Sequence, residues 1–136
     1  MTGMASPLIA SLHVALGGAI GSVLRYQAGR WTTWWLGPQA VTAFPWATLG
    51  VNALGSVLMG LLAGWLARQG PGGDQFRLLL GVGVLGGFTT FSAFSLELVV
   101  LMQRGQLALA ALYLFLSVAL GVTGLIFGLA MVRLAG

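Results

Sequence analysis

Four long stretches of this chain carry almost no charge, and they restrict it to one kind of architecture. Residues 8–24, 46–67 and 107–132 contain no charged side chain, and residues 78–102 contain only Glu97. A helix needs about 20 predominantly apolar residues to cross the hydrocarbon core of a bilayer, and none of these stretches alternates in polarity as the strands of a membrane barrel do. The sequence therefore predicts an all-α integral membrane protein with four transmembrane helices.

We place the helices at about residues 8–28, 46–67, 78–102 and 107–133, within a single transmembrane domain that comprises residues 1–136. The segment from Trp31 to Pro38 is rich in tryptophan, which prefers the headgroup level of a membrane. We expect it to form a loop that lies along the interface. The expected location is a cell membrane that the chain crosses several times, with the lipid bilayer as the surrounding partner.

The composition excludes most of the chemistry on which soluble enzymes depend. Charged residues make up 6% of the chain, cysteine and lysine are absent, and His13 is the one histidine. Thiolate nucleophiles, Schiff-base chemistry and cysteine-based zinc sites are therefore excluded. The formal net charge is +4, but the six arginines are scattered and form no basic patch. We expect neither an enzyme nor a nucleic-acid partner.

The arginines divide evenly between the two sides of a four-helix topology. One side would hold Arg68, Arg77 and Arg133, and the other would hold Arg25, Arg30 and Arg104. Orientation normally follows an excess of positive charge on the cytoplasmic side. An even division favours insertion in both orientations, and two opposed copies would pair about an axis in the membrane plane. The alternative is that the tie is accidental and the N-terminal amine sets one orientation.

Polar side chains recur at helical spacing inside the predicted spans. Thr48, Asn52 and Ser56 lie four residues apart in the second span, and Tyr113 and Ser117 repeat that spacing in the fourth. Most intramembrane hydroxyls bond to their own helix or to a neighbouring one. An amide in mid-helix is costly to leave unpaired. Asn52 therefore either pairs across helices or faces a conduction path.

The third span contains the strongest local signal, the sequence GGFTTFSAFSLE at residues 86–97. Two adjacent glycines and a threonine pair are poor helix formers, so the sequence predicts a break in this helix at membrane depth. A break there is tolerated where it is buried in protein or lines a cavity, and it frees backbone carbonyl and N–H groups that can bind ions. Hydroxyl donors interleaved with the positive edges of phenylalanine rings suit a small anion.

These motifs resemble the small fluoride channels of the Fluc type, also called the CrcB family. The resemblance covers nearly the whole chain and includes residues 86–97, Gly17-Gly18-x-x-Gly21 running to Leu24-Arg25, and Pro45-x-x-Thr48-x-x-x-Asn52. It implies a dual-topology antiparallel homodimer with two fluoride pores along the subunit interfaces and a structural sodium ion at the dimer centre. Because the chain encodes no energy source, transport would be passive export of fluoride down its gradient.

The resemblance also implies roles for individual residues. Phe91 and Phe94 would present their ring edges to fluoride, and Asn52 would donate its amide to the ion. Gly86 and Thr89 would offer backbone carbonyls to the sodium ion. The full set of candidate pore residues is Arg25, Thr48, Asn52, Phe91, Ser92, Phe94, Glu97, Tyr113 and Ser117.

Within that set, Ser92 and Glu97 would belong to a polar track beyond the rings, Tyr113 and Ser117 to the pore wall in the fourth helix, and Arg25 to an aqueous vestibule. The chain departs from the family pattern at Ala93, where a threonine is common, so one hydroxyl of the polar track is missing.

Two other classes of protein fit the same four spans. A proton-coupled multidrug exporter needs a membrane-embedded carboxylate, and Glu97 is the one acidic side chain within a span. A structural subunit of a larger complex would use the polar positions only for contacts between helices. Fluoride efflux from loaded liposomes separates these classes from a channel.

Overall fold

The computed structural model describes residues 6–135, which form helices and turns without any β-strand. The helices are α1 (Pro7–Leu36), α2 (Pro38–Ala43), α3 (Trp46–Gln69), α4 (residues 74–88), α5 (Phe91–Gln103) and α6 (Leu107–Leu134). Four segments are long and apolar enough to cross a membrane: α1, α3, α6 and Asp74–Gln103, which combines α4 and α5. The predicted domain limits include residues 1–5 and 136, which lie outside the described part of the chain.

The first helix is longer than the sequence pattern predicted. It continues to Leu36 instead of ending near residue 28, because no proline interrupts it before Pro38 and Gly37, with φ of 84°, provides the turn. The expected interfacial loop is therefore wrong in its conformation: Trp31, Trp34 and Trp35 lie on the last turns of α1, with exposed fractions of 74%, 79% and 77%.

The α1 helix packs against α4 through glycines, two of which lie four residues apart in α1. A Cβ atom at Gly17 would overlap the carbonyl oxygen of Leu79, and one at Gly21 would overlap that of Val84. On the opposite surface, a Cβ at Gly83 would lie 2.8 Å from the Cα of Gly17. The two backbones therefore touch directly, which is how small residues stabilise helix pairs within a membrane.

The α3 and α6 helices form the second close pair. A side chain at Gly60 would overlap the carbonyl oxygen of Leu125, and one at Gly128 would overlap that of Val57. The far half of the third span, α5, packs mainly against α6, whereas its near half, α4, packs mainly against α1. The two halves of this span therefore belong to different helix pairs.

Between α4 and α5, the backbone of two residues is extended. Thr89 has φ and ψ of −81° and 157°, and Thr90 has −151° and 122°. The side-chain amide of Asn52 pairs with this segment: its Nδ2 donates to the Thr90 carbonyl at 3.0 Å, and its Oδ1 accepts from the Thr90 N–H at 2.8 Å. Asn52 thus replaces the helical partners that Thr90 lacks.

This pairing changes the hydrogen bonding on both sides of the interruption. In a continuous α-helix the Thr90 N–H would donate to the Gly86 carbonyl, and here it donates to Asn52. The Thr90 hydroxyl accepts from the Ala93 N–H at 3.2 Å and so caps the N-terminus of α5. Asn52 and Thr90 together determine where α5 begins.

We expect Asn52→Leu to lower the free energy of unfolding by about 2–4 kcal/mol, because the buried N–H and carbonyl of Thr90 lose their partners. A titration with SDS, followed by tryptophan fluorescence, measures this change. The matched control is Ser56→Ala, one turn along α3, whose hydroxyl donates within its own helix to the Asn52 carbonyl. It should change stability by less than about 0.5 kcal/mol. Equal stability of Asn52→Leu and the unmodified protein would contradict the anchoring role.

Candidate functional site

Three of the predicted residues form a hydrogen-bonded group among α3, α5 and α6. The Thr48 hydroxyl donates to Glu97 Oε1 and the Tyr113 hydroxyl donates to Glu97 Oε2, both at 2.7 Å. An ionised carboxylate only accepts hydrogen bonds, so these two donors suit its negative form. Tyr113 is completely buried, and Glu97 and Thr48 are half-buried. The three spans are therefore joined at one carboxylate.

A row of aromatic rings runs beside this group. The centroids of Phe91 and Phe94 are 5.6 Å apart, and those of Phe94 and Tyr113 are 5.2 Å apart. Phe44, in the turn before α3, continues the row at 5.5 Å from Tyr113 and 4.7 Å from Trp46. The row therefore connects the interruption of the third span to the start of α3.

The two phenylalanines of the predicted pair have different surroundings. Phe94 is buried, whereas Phe91 has an exposed fraction of 79%. Phe91 lies beside an open groove of about 270 Å³ that Asn52, Ser56, Thr89 and Thr90 also line. This groove opens to the outside of the single chain.

Two serine hydroxyls lie close to these features, Ser92 near the groove and Ser117 near the buried Tyr113. The Ser92 side chain is exposed, and its Oγ lies 3.4 Å from the Thr90 Oγ1. One turn beyond Tyr113 on α6, the Ser117 Oγ is buried and has no hydrogen-bond partner within the described part of the chain. Buried polar atoms are rarely left unpaired. Ser117 is an exception to this rule among the described residues, and its hydroxyl is a free donor one turn from Tyr113.

The structure places Arg25 away from the other predicted residues. It lines a cleft of about 680 Å³ together with Tyr26, Arg30 and Trp34. A separate cleft of about 370 Å³ contains Glu97 and Arg104. Because residues Val41 and Ala47 line both, the two clefts are adjacent.

At the interruption of the third span, the groups that could bind a metal ion are backbone carbonyl oxygens. No group of three or more histidine or acidic side chains comes together anywhere in residues 6–135. The Gly86 carbonyl lacks its helical donor, as described above, and Gly86 is exposed on the surface of the chain. The Thr89 carbonyl belongs to an extended residue at the end of α4. Carbonyls of unwound helices are typical ligands of sodium in membrane proteins.

Three residues of this region were missed by the sequence interpretation. Thr90 had a local signal, because a threonine directly before an apolar run is a candidate helix cap. Phe44 and Arg104 had none, since their contacts are with Tyr113 and with the Thr42 carbonyl, far away in the sequence. Contacts of that kind depend on how the helices pack.

The comparisons with known proteins agree on one family. The family described as "CrcB-like protein, Camphor Resistance (CrcB)" matches residues 12–129. A protein of Erythrobacter litoralis named "Fluoride-specific ion channel FluC" is 65% identical over 129 residues, which is 94% of this chain and 95% of that protein. Proteins of the same name from Novosphingobium aromaticivorans and Rhizobium etli are 61% and 48% identical, each over 93% of this chain and 98% of their own length.

These relatives are named as ion channels and not as enzymes, and they come from bacteria. The matched region includes the second and third apolar segments completely, most of the first and fourth, and all residues of the candidate site. Together with the four helices, this makes the chain a multi-pass membrane protein. With 118 of its 136 residues in the matched region (12–129), the chain belongs to the CrcB family.

Proposed function

We propose that this protein is a passive, fluoride-selective ion channel that exports fluoride from the cell. The observation that carries the proposal is the 65% identity, over 94% of the chain, to a protein named as a fluoride-specific ion channel. The chemistry of the site supports it. Amide, hydroxyl and aromatic-edge donors surround the groove and the Glu97 group, and these donors can replace the water of a small anion without holding it too tightly.

We assign the ion path to the aromatic row and the hydroxyls beside it. Asn52 uses one N–H for Thr90 and keeps its second N–H as a donor toward the groove that it lines. Phe91 and Phe94 present ring edges, and Ser92 provides a hydroxyl beside the groove. The unpaired hydroxyl of Ser117 continues the set of donors beyond Tyr113.

The pore wall beyond the rings includes Thr48, Glu97 and Tyr113. In the observed arrangement both hydroxyls of this group donate to the carboxylate. These hydroxyls can donate to an anion only when at least one of them no longer donates its hydrogen bond to Glu97. Arg25, in the adjacent cleft, provides positive charge in an aqueous vestibule.

An antiparallel homodimer with two pores completes the site. Phe91, Ser92 and Gly86 are all exposed on the single chain, although phenylalanine and glycine of the third span belong in a packed environment. A second copy in the opposite orientation would cover this face and enclose the groove twice, once for each subunit. The even division of arginines is consistent with both orientations.

A structural sodium ion at the dimer centre fits the interrupted span. The Gly86 and Thr89 carbonyls would hold it, two from each subunit, and the interruption at Thr89–Thr90 would lie in mid-membrane. The ion would provide a positive charge that satisfies carbonyl groups without helical donors. Asn52 contributes indirectly, because it takes the Thr90 N–H away from Gly86.

The first prediction concerns transport itself. Liposomes that contain the purified protein and are loaded with fluoride should lose fluoride, measured with an electrode, far faster than empty liposomes, and chloride-loaded liposomes should not lose chloride. Phe91→Ile should reduce fluoride efflux more than about 10-fold, since it removes the positive ring edge. The matched control is Phe127→Ile, an exposed phenylalanine of α6. Fluoride efflux no faster than from empty liposomes would contradict the channel, and equal chloride efflux would contradict its selectivity.

The second prediction concerns orientation. Because the chain has no cysteine, Ala135→Cys introduces a single thiol at the end of α6. A membrane-impermeant maleimide added to intact cells should label about half of the protein, since half of the copies expose this end outside. Permeabilised cells provide the value for complete labelling. Labelling of all or none of the protein in intact cells would contradict dual topology.

The third prediction concerns sodium. At constant ionic strength, replacing N-methylglucamine with sodium should raise the melting temperature of the purified protein by roughly 5 °C or more, because the ion binds the folded dimer alone. Potassium should have a smaller effect, because it is a larger cation than the sodium ion that we propose for this site. Identical melting temperatures in sodium and N-methylglucamine would contradict the site.

A further inference from the structure

Arg104 follows α5 in the turn that leads to α6, and it reaches across to the other side of a cleft. Its Nη1 donates to the carbonyl oxygen of Thr42, in α2, at 2.9 Å. The acceptor is a neutral backbone group, so the hydrogen bond positions the guanidinium without cancelling its charge. The one ion pair in residues 6–135 joins Arg77 and Asp74, at 3.2 Å, in the first turn of α4. Arg104 therefore keeps its full positive charge at this cleft.

Glu97 lines the same cleft as Arg104. Arg104 directly follows the last residue of α5, seven positions after Glu97, so the backbones of the two residues are separated by a rise of about 10 Å along the helix axis. The cleft has a volume of about 370 Å³, and of its lining residues Arg104, Thr42 and Trp46 are exposed, whereas Glu97 is half-buried. Glu97 thus lies deeper along the cleft, and Arg104 lies at its outer end.

A carboxylate beside an anion path presents an electrostatic difficulty. Both Glu97 oxygens accept hydrogen bonds, and a carboxylate charge at this position repels an approaching anion. At low ionic strength, where the screening length exceeds the backbone separation of about 10 Å, the positive charge of Arg104 offsets this repulsion. At about 1 M salt the screening length falls to about 3 Å, and the offset disappears.

We propose that Arg104 is an electrostatic positioning residue that draws anions into the cleft at the Glu97 end of the pore. The proposal rests on the proposed function, because it needs an anion that passes Glu97. Arg104 does not contact the ion. It raises the local anion concentration at the mouth and opposes the field of Glu97, and the bond to Thr42 holds its charge in position.

The test compares Arg104→Gln, Arg104→Lys and the unmodified protein in the fluoride efflux assay. Glutamine keeps a side-chain donor for the Thr42 carbonyl but removes the charge, whereas lysine keeps the charge. Arg133→Gln, at the exposed end of α6, is the control for an equal change in net charge. Potassium isethionate sets the ionic strength, and the sodium concentration stays constant.

At about 0.01 M ionic strength, Arg104→Gln should reduce the efflux rate by about two- to ten-fold. The difference should disappear near 1 M, and Arg104→Lys and Arg133→Gln should match the unmodified protein throughout. A loss that does not depend on salt would overturn the proposal, because it would mean that Arg104 only ties the turn to α2. Equal rates of Arg104→Gln and the unmodified protein at low salt would overturn it too. Absence of efflux from the unmodified protein would instead contradict the channel function.

Discussion

The pairing of the Asn52 amide with the backbone of Thr90 is the interaction on which the rest of the site depends. It supplies a donor and an acceptor to Thr90, which has left the helix, so the N–H and carbonyl groups of Thr90 are not left unpaired where the third span is interrupted. It also determines the residue at which α5 begins. The positions of Phe91, Phe94 and Glu97 around the axis of α5 follow from that starting point, and with them the contacts of Phe94 and Glu97 to Tyr113.

Close glycine packing makes this arrangement rigid on both sides. The near half of the third span is held against α1 at Gly17 and Gly21, and the α3–α6 pair is held together at Gly60 and Gly128. The far half, α5, joins the second pair through the Glu97 hydrogen bonds and the aromatic row. The interruption therefore lies where two glycine-packed helix pairs meet, and the surface that remains open there is the one we assign to the second subunit.

Much of the fold could be predicted from residue patterns, and the limits of that prediction have physical causes. The four spans follow from long uncharged runs, and the glycine contacts follow from spacing, because both depend on local sequence. The end of α1 was misjudged because tryptophan prefers an interface in either conformation, helix or loop. Asn52 was left with two interpretations, pairing across helices or facing an ion path. The structure shows the pairing and leaves one N–H for the other role.

The sequence by itself determined that this chain is an α-helical membrane protein without the side chains for soluble-enzyme chemistry, because hydrophobic length and residue type are properties of the chain alone. It also contained the motif by which the family is identified. Only the tertiary structure decided that Thr48, Glu97 and Tyr113 form one group, that Phe44 extends the aromatic row, and that Arg104 lies at the mouth of the Glu97 cleft. Those residues come from segments far apart in the chain, and helix packing is what brings their side chains within a few ångströms of each other.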